Sequence, residues 1–232
     1  MNSTPIITQD GYPAHSTATP LAHHFDNLKQ QHDAGEIGMW LFLCTEIMFF
    51  GGVFLAYAIY RMQDEATFAL ASRELDLTLG TINTVVLLGS SLTMALAVDA
   101  ARLRKSSSLC RLLLLTAILG TVFLAIKGFE YYQKYEHHLM PLRGRPFDWQ
   151  GPSPHHAELF FNLYFLMTGI HALHMIIGIG MLWILLWMAT RGGLLGDFSM
   201  PVHCIGLYWH FVDIVWVFLF PLLYLIGAHH GP

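Results

Sequence analysis

The chain has 232 residues, of which 54% are hydrophobic and only 12% charged, with a net charge of −4. A soluble domain carries about 25% charged residues, so this composition excludes an ordinary soluble fold. The few basic residues are scattered, which excludes a nucleic-acid surface.

Residues 1–36 form a polar N-terminal tail carrying Pro5, Pro13 and Pro20. It lacks the basic start and short apolar core of a signal peptide, so an uncleaved tail is expected. A first span follows at about 37–60. It contains GMWLFLCTEIMFFGG, Gly38 to Gly52, in which Glu46 interrupts an otherwise apolar run. A charge at the bilayer centre costs on the order of 2.5–3.5 kcal/mol. Glu46 is therefore paired, protonated or functional.

The second span, about 77–98, closes on Asp99, expected as a solvated end charge. The third runs over about 112–129. Near its end Lys127 and Glu130 stand at i and i+3, which predicts a snorkelling pair at the membrane interface. Tyr131 to Ala157 reads as the largest loop. The fourth span, about 159–189, exceeds the roughly 20 residues a bilayer needs, so it is expected to tilt or project. The fifth, about 203–227, leaves a short tail at 228–232. The predicted fold is all-α: an integral membrane bundle of five transmembrane helices within 37–227.

Lysine and arginine set the orientation. Lys29, Arg102, Arg104, Lys105, Arg111 and Arg191 fall on one side, and Arg61, Arg73, Lys134, Arg143 and Arg145 on the other. Arg102, Arg104, Lys105 and Arg111 crowd one tight loop, where the positive-inside effect acts best. The N-terminus is expected inside and the C-terminus outside.

At helical rise Glu46 lies roughly 14 Å into the first span, and His210 and Asp213 roughly 10 and 15 Å into the fifth. His171 and His174 occupy the same half of the fourth. Glu46, His171, His174, His210 and Asp213 are thus expected to form one polar intramembrane layer in which the imidazoles bond to carboxylates or backbone carbonyls. Bis-histidine haem needs facing imidazoles and copper about three converging ones. His171 and His174 share a helix face, and the pairs His23–His24, His137–His138, His155–His156 and His229–His230 lie in tails or loops. No metal or other cofactor is expected in this chain. Cys44, Cys110 and Cys204 show no C-x-x-C spacing and read as buried, inert thiols.

Tryptophans near the span ends, among Trp40, Trp183, Trp187, Trp209 and Trp216, read as interfacial anchors. Gly51–Gly52, Gly178 and Gly180 read as sites of close helix packing. A proton-coupled transporter is the alternative class, but no internal repeat relates the five spans.

Five stretches in order carry a family resemblance: GMWLFLCTEIMFFGG; TINTVVLLGSS from Thr81; KGFEYYQKYEHH from Lys127; FNLYFLMTGIHALHMIIG from Phe161; and YWHFVDIVWVFLFPLLY from Tyr208. Together they resemble subunit III of the haem–copper terminal oxidases, in a short form that lacks the first two of seven helices. The resemblance implies a multi-pass subunit of the bacterial inner (plasma) membrane. Haem and copper would sit in partner subunits, I and II among them. The chain would pack directly on subunit I, support its proton uptake and hold phospholipid. Glu46 would be the family's carbodiimide-reactive carboxylate and a candidate proton-supply site, and Glu130 the family-motif acid. Trp40, Phe49, Phe50, Gly51 and Gly52 are the candidate face toward subunit I. An accessory subunit of nitric oxide reductase shares the fold and is a further alternative.

Overall fold

The computed structural model describes residues 28–141, 147, 149–191 and 199–227, apart from the side chains of Leu28 and His32. Most of the N-terminal tail, the C-terminal tail, Arg143 and Arg145 lie outside the described residues. The described residues form six helices: α1 (Leu28–Gln63), α2 (Glu65–Arg73), α3 (Leu77–Arg102), α4 (Ser106–Glu136), α5 (Pro154–Thr190) and α6 (Met200–Tyr224). All but the short α2 are long and apolar enough to cross a membrane. The all-α bundle of five membrane helices expected from the sequence is the fold observed.

The helices overrun the apolar runs at their ends because each stop is set by local backbone chemistry. At the end of α3, Lys105 N–H bonds to Ala100 C=O and Arg104 N–H to Ala101 C=O, with Arg104 left-handed at φ 56°. The end of α4 repeats this closure, with Leu139 on Lys134, His138 on Tyr135 and φ 54° at His138. These closures satisfy the last carbonyls of each helix. Residues 131–136, expected in a loop, therefore continue α4.

Helix α6 is the centre. Half of its apolar window is buried inside the chain, against 17% for α1. It packs on α3 and α5, while α4 packs on α3 and α5. Trp209 of α6, fully buried, wedges between glycines: a Cβ on Gly120 would lie 2.7 Å from its ring and one on Gly178 3.0 Å. Its Nε1–H donates to Ser90 Oγ at 3.1 Å. One indole thus joins α3, α4, α5 and α6. Trp209 and Trp216 are interior residues rather than interfacial anchors; Trp40, Trp183 and Trp187 are exposed. Gly180 borders open space, so close packing at this pair of glycines belongs to Gly178 alone. Cys44 is exposed and Cys110 and Cys204 half-buried, which corrects the expectation of buried thiols.

The helix missed in the sequence, α2, turns the chain between α1 and α3. Asp64 caps it, accepting from Thr67 N–H at 3.0 Å and Thr67 Oγ1 at 2.7 Å. His156 Nδ1, at the start of α5, lies 2.9 Å from the same carboxylate. The Thr67 bonds, with smaller help from His156 and Ser153, hold the Asp64 carboxyl well below the usual carboxylate range, at about 2. A depressed folded-state pKa gives stability that is present above the unfolded value of about 4 and is lost as pH falls through about 2. Amide exchange of the first turn of α2 should be faster in Asp64→Ala than in wild type at pH 6, and this difference should collapse only as pH approaches 2.

Candidate functional site

The buried stripe of α4 runs Leu109, Leu113, Thr116, Gly120, Phe123, Lys127, Glu130, Lys134. Its period keeps Lys127 and Glu130 on the face that packs into the bundle, so neither can snorkel. Lys127 is 4% exposed and Glu130 fully buried. The expected interfacial pair is instead an interior one.

Lys127 Nζ donates to Glu130 Oε2 at 2.8 Å, to Tyr164 Oη at 3.1 Å and to Tyr224 Oη at 2.7 Å. Tyr164 and Tyr224 in turn donate to Glu130 Oε1 at 3.0 and 2.6 Å. The three ammonium protons, both carboxylate oxygens and both phenols are therefore all used. The ammonium also lies 5.1–5.7 Å from the ring centroids of Tyr131, Tyr164, Trp216 and Tyr224. Tyr164 and Tyr224 meet the ammonium through their hydroxyls at the ring edge, so any cation–π attraction falls to Trp216 and Tyr131. One helix brings both charges, and α5 and α6 bring the phenols. Nearer the end of α4, Lys134 donates to the Glu74 carbonyl beyond α2.

The expected polar layer does not assemble as one unit. Glu46, with a side chain 19% exposed, is half-buried and lies on the flank of α1. Its Oε2 is 3.2 Å from His174 Nε2. His174 Nδ1 is 2.9 Å from Ile170 C=O, which can only accept, so Nδ1 carries a proton. The Nε2···Oε2 contact then needs one more proton, on either atom. Imidazolium with carboxylate, or imidazole with carboxylic acid, both leave the pair electrically neutral. This answers why a carboxylate is tolerated in the first span.

His171, although it is only three residues from His174, turns inward. Its ring packs 5.4 Å from Phe123 and 5.3 Å from Trp216, and neither ring nitrogen has a hydrogen-bond partner among the described residues. His210 Nδ1 meets Ser91 Oγ at 2.8 Å. Asp213 is buried, and neither of its oxygens is hydrogen-bonded there. Ser91 is close enough to influence that carboxyl, but its hydroxyl is at bonding geometry to His210. The imidazoles do not converge.

Helix α1 has a groove along each flank. One, of about 500 Å³, is lined by Phe42, Glu46, His174 and Tyr208 among others; its counterpart, of about 410 Å³, by Trp40, Gly51, His210 and Phe218 among others. Phe50, expected to face a partner, is 3% exposed and packs 5.2 Å from His174 and 6.0 Å from Phe211. It fastens α1 to the bundle. Trp40 and Phe49 are about half exposed, and a Cβ on Gly51 or Gly52 would meet no atom within 4 Å.

The family model described as cytochrome c oxidase subunit III matches residues 17–136 and 155–228, a region holding Glu46, Lys127, Glu130, His174 and the α6 motif. The chain belongs to the cytochrome c oxidase subunit III family. It is 33% identical to cytochrome c oxidase subunit 3 of Synechocystis over 91% of this chain and 83% of that one. It is 31% identical to cytochrome bo(3) ubiquinol oxidase subunit 3 of Pseudomonas aeruginosa over 97% and 99%. It is also 29% identical to a probable quinol oxidase subunit 3 of Staphylococcus haemolyticus over 87% and 94%. The chain is a subunit III of a haem–copper oxidase, part of an oxidoreductase complex of the respiratory chain and a multi-pass membrane protein. The transporter and nitric oxide reductase alternatives are not favoured.

Sequence reasoning missed Tyr164, Tyr224 and Trp216 as partners of Lys127. The available signal was the α4 spacing, which puts Lys127, Glu130 and Lys134 in register with its apolar core positions. Removing one partner of a buried, bonded ion pair costs about 3–5 kcal/mol. Lys127→Met and Glu130→Leu should each lower the thermal midpoint of the purified oxidase complex. The double variant, with no lone charge left, should be more stable than either single one.

Proposed function

We propose that the chain is a non-redox subunit of the bacterial inner membrane that packs directly on subunit I through α1, stabilises it and supports its proton uptake. Haem and copper belong to partner subunits, I and II among them, and the N-terminus lies inside. The observation that carries the reading is the asymmetry of α1. This helix is fastened at Phe50 and the Glu46–His174 pair, yet leaves most of its apolar surface and both neighbouring glycines uncovered. A surface of that kind lets a partner helix approach closely. The non-redox part rests on the imidazoles, since His174 is committed to Glu46, His210 to Ser91, and His171 is enclosed by Phe123 and Trp216. Phospholipid would fill whatever length of the two grooves a protein partner does not cover. Glu46 has the role of keeping a neutral, proton-sharing pair beside that interface.

Affinity purification of the tagged chain from its native membrane should bring down a haem-bearing subunit I. A Cβ at position 51 or 52 meets no atom of this chain within 4 Å, and Gly52, unlike Gly51, does not line the groove between α1 and α6, so the effect of Gly52→Leu in particular reads the partner. Gly51→Leu and Gly52→Leu should each reduce co-purification of subunit I by several-fold while the chain remains in the membrane. Undiminished co-purification in both would remove α1 as the interface.

Glu46→Gln retains a polar amide that can face His174 without the carboxyl group. Carbodiimide labelling of the chain should be abolished and steady-state oxygen consumption largely kept. A ten-fold loss with assembly intact, about 1.4 kcal/mol in the barrier, would make Glu46 an obligatory proton carrier instead.

A further inference from the structure

The interior next to the Lys127–Glu130 pair holds three buried polar side chains that the pair does not use. Asn83 of α3 is fully enclosed, and neither its amide nitrogen nor its oxygen has a hydrogen-bond partner among the described residues. The same holds for both nitrogens of His171 on α5 and both oxygens of Asp213 on α6. They lie along one stretch of the α3–α6 contact, about one helical turn long. His171 packs on the Trp216 ring at 5.3 Å, and Asp213 precedes Trp216 by three residues on the same helix. Asn83 adjoins Thr84, whose hydroxyl accepts the Trp216 indole N–H at 3.1 Å. In the α3–α6 register Ser91 pairs with His210 and Thr84 with Trp216, so Asp213 falls between those contacts, near the Ser91 hydroxyl that His210 already engages, and Asn83 lies just beyond the second.

Buried polar atoms are nearly always bonded, to protein or to ordered water. Inside a bilayer there is no solvent to rescue one left open. Three such side chains on three different helices, along one stretch of an otherwise apolar core, call for partners that the protein itself does not supply. Elsewhere in the same interior the polar groups are closed, as with Trp209 on Ser90 and the Lys127–Glu130 set. We propose that Asn83, His171 and Asp213 form a water-binding site in the core of the bundle, at which ordered water bridges α3, α5 and α6 beside Trp216. An amide, an imidazole and a carboxyl group supply both donors and acceptors, which suits water rather than an apolar guest.

The test is hydroxyl-radical footprinting of the intact oxidase complex by brief X-ray pulses in ¹⁸O water, read by mass spectrometry. Radicals form where water is bound, so label reports water contact. Trp209 is the internal control, being equally buried but closed by Ser90 and the two glycines. Trp216 should take up at least three-fold more ¹⁸O than Trp209, and Asn83→Leu should reduce that excess. Asn83→Leu should also lower the thermal midpoint of the complex by about 2–4 °C, since it removes a bonded group. Equal labelling of Trp216 and Trp209 would overturn the proposal whatever the variant does. An excess unchanged in Asn83→Leu, or a midpoint raised by it as expected for a dry unsatisfied amide, would overturn it as well.

Discussion

The arrangement of α4, α5 and α6 depends on one ion pair buried inside the bundle. Lys127 and Glu130 both come from α4, but their remaining valences are filled by Tyr164 of α5 and Tyr224 of α6. Between helices in lipid, burial of apolar surface gives little drive, since the surroundings are as apolar as the interface. A polar cluster that closes in only one geometry supplies what the apolar surfaces do not, namely a preference for one rotation and one height of each helix. The cost of leaving it open is large enough to penalise other arrangements. Trp209 adds the complementary constraint by shape, because only glycine at 120 and 178 admits its ring.

Helix α1 is held in a different manner. It meets the bundle through Phe50 and through the Glu46–His174 contact, with Tyr57 donating to the Leu222 carbonyl at its far end. These are few points along a 36-residue helix. The bundle of α3 to α6 is therefore the closely packed part, and α1 lies against it with a groove along each side. In this arrangement the polar bond to His174 fixes the rotation of α1 about its axis, and thereby decides which apolar residues face outward. A carboxyl group in the first span is thus a positional device as well as a chemical one.

Much of this was legible in the sequence. Five apolar runs gave the five membrane helices, and the depth of Glu46 correctly suggested an imidazole partner on the fourth run. What failed had specific causes. By position Lys127 and Glu130 are charges near a span end, but their register with Gly120 and Phe123 is the stronger fact. His171 and His174 are three residues apart on one face of the fourth span, yet the 60° between them is enough to send one ring into the core and the other to the flank. The short α2 has only one turn signal, the Asp64 cap, and no apolar run to announce it. Phe50 could not be told from Phe49 without knowing which side of α1 meets α6.

Both polar units that hold the helices are electrically neutral as wholes. The Lys127–Glu130 set balances one cation against one anion, and the Glu46–His174 pair is neutral with its proton on either atom. Such units avoid the cost of isolated charge in lipid, and they differ in what a proton can do. In the first, every donor and acceptor is occupied within the bundle, so a proton cannot arrive or leave without breaking the contacts that set the fold. In the second, the 3.2 Å contact between Nε2 and Oε2 lies beside an open groove. The two units are thus separated in space. The closed unit fixes the bundle, and the open one lies where α1 meets its surroundings.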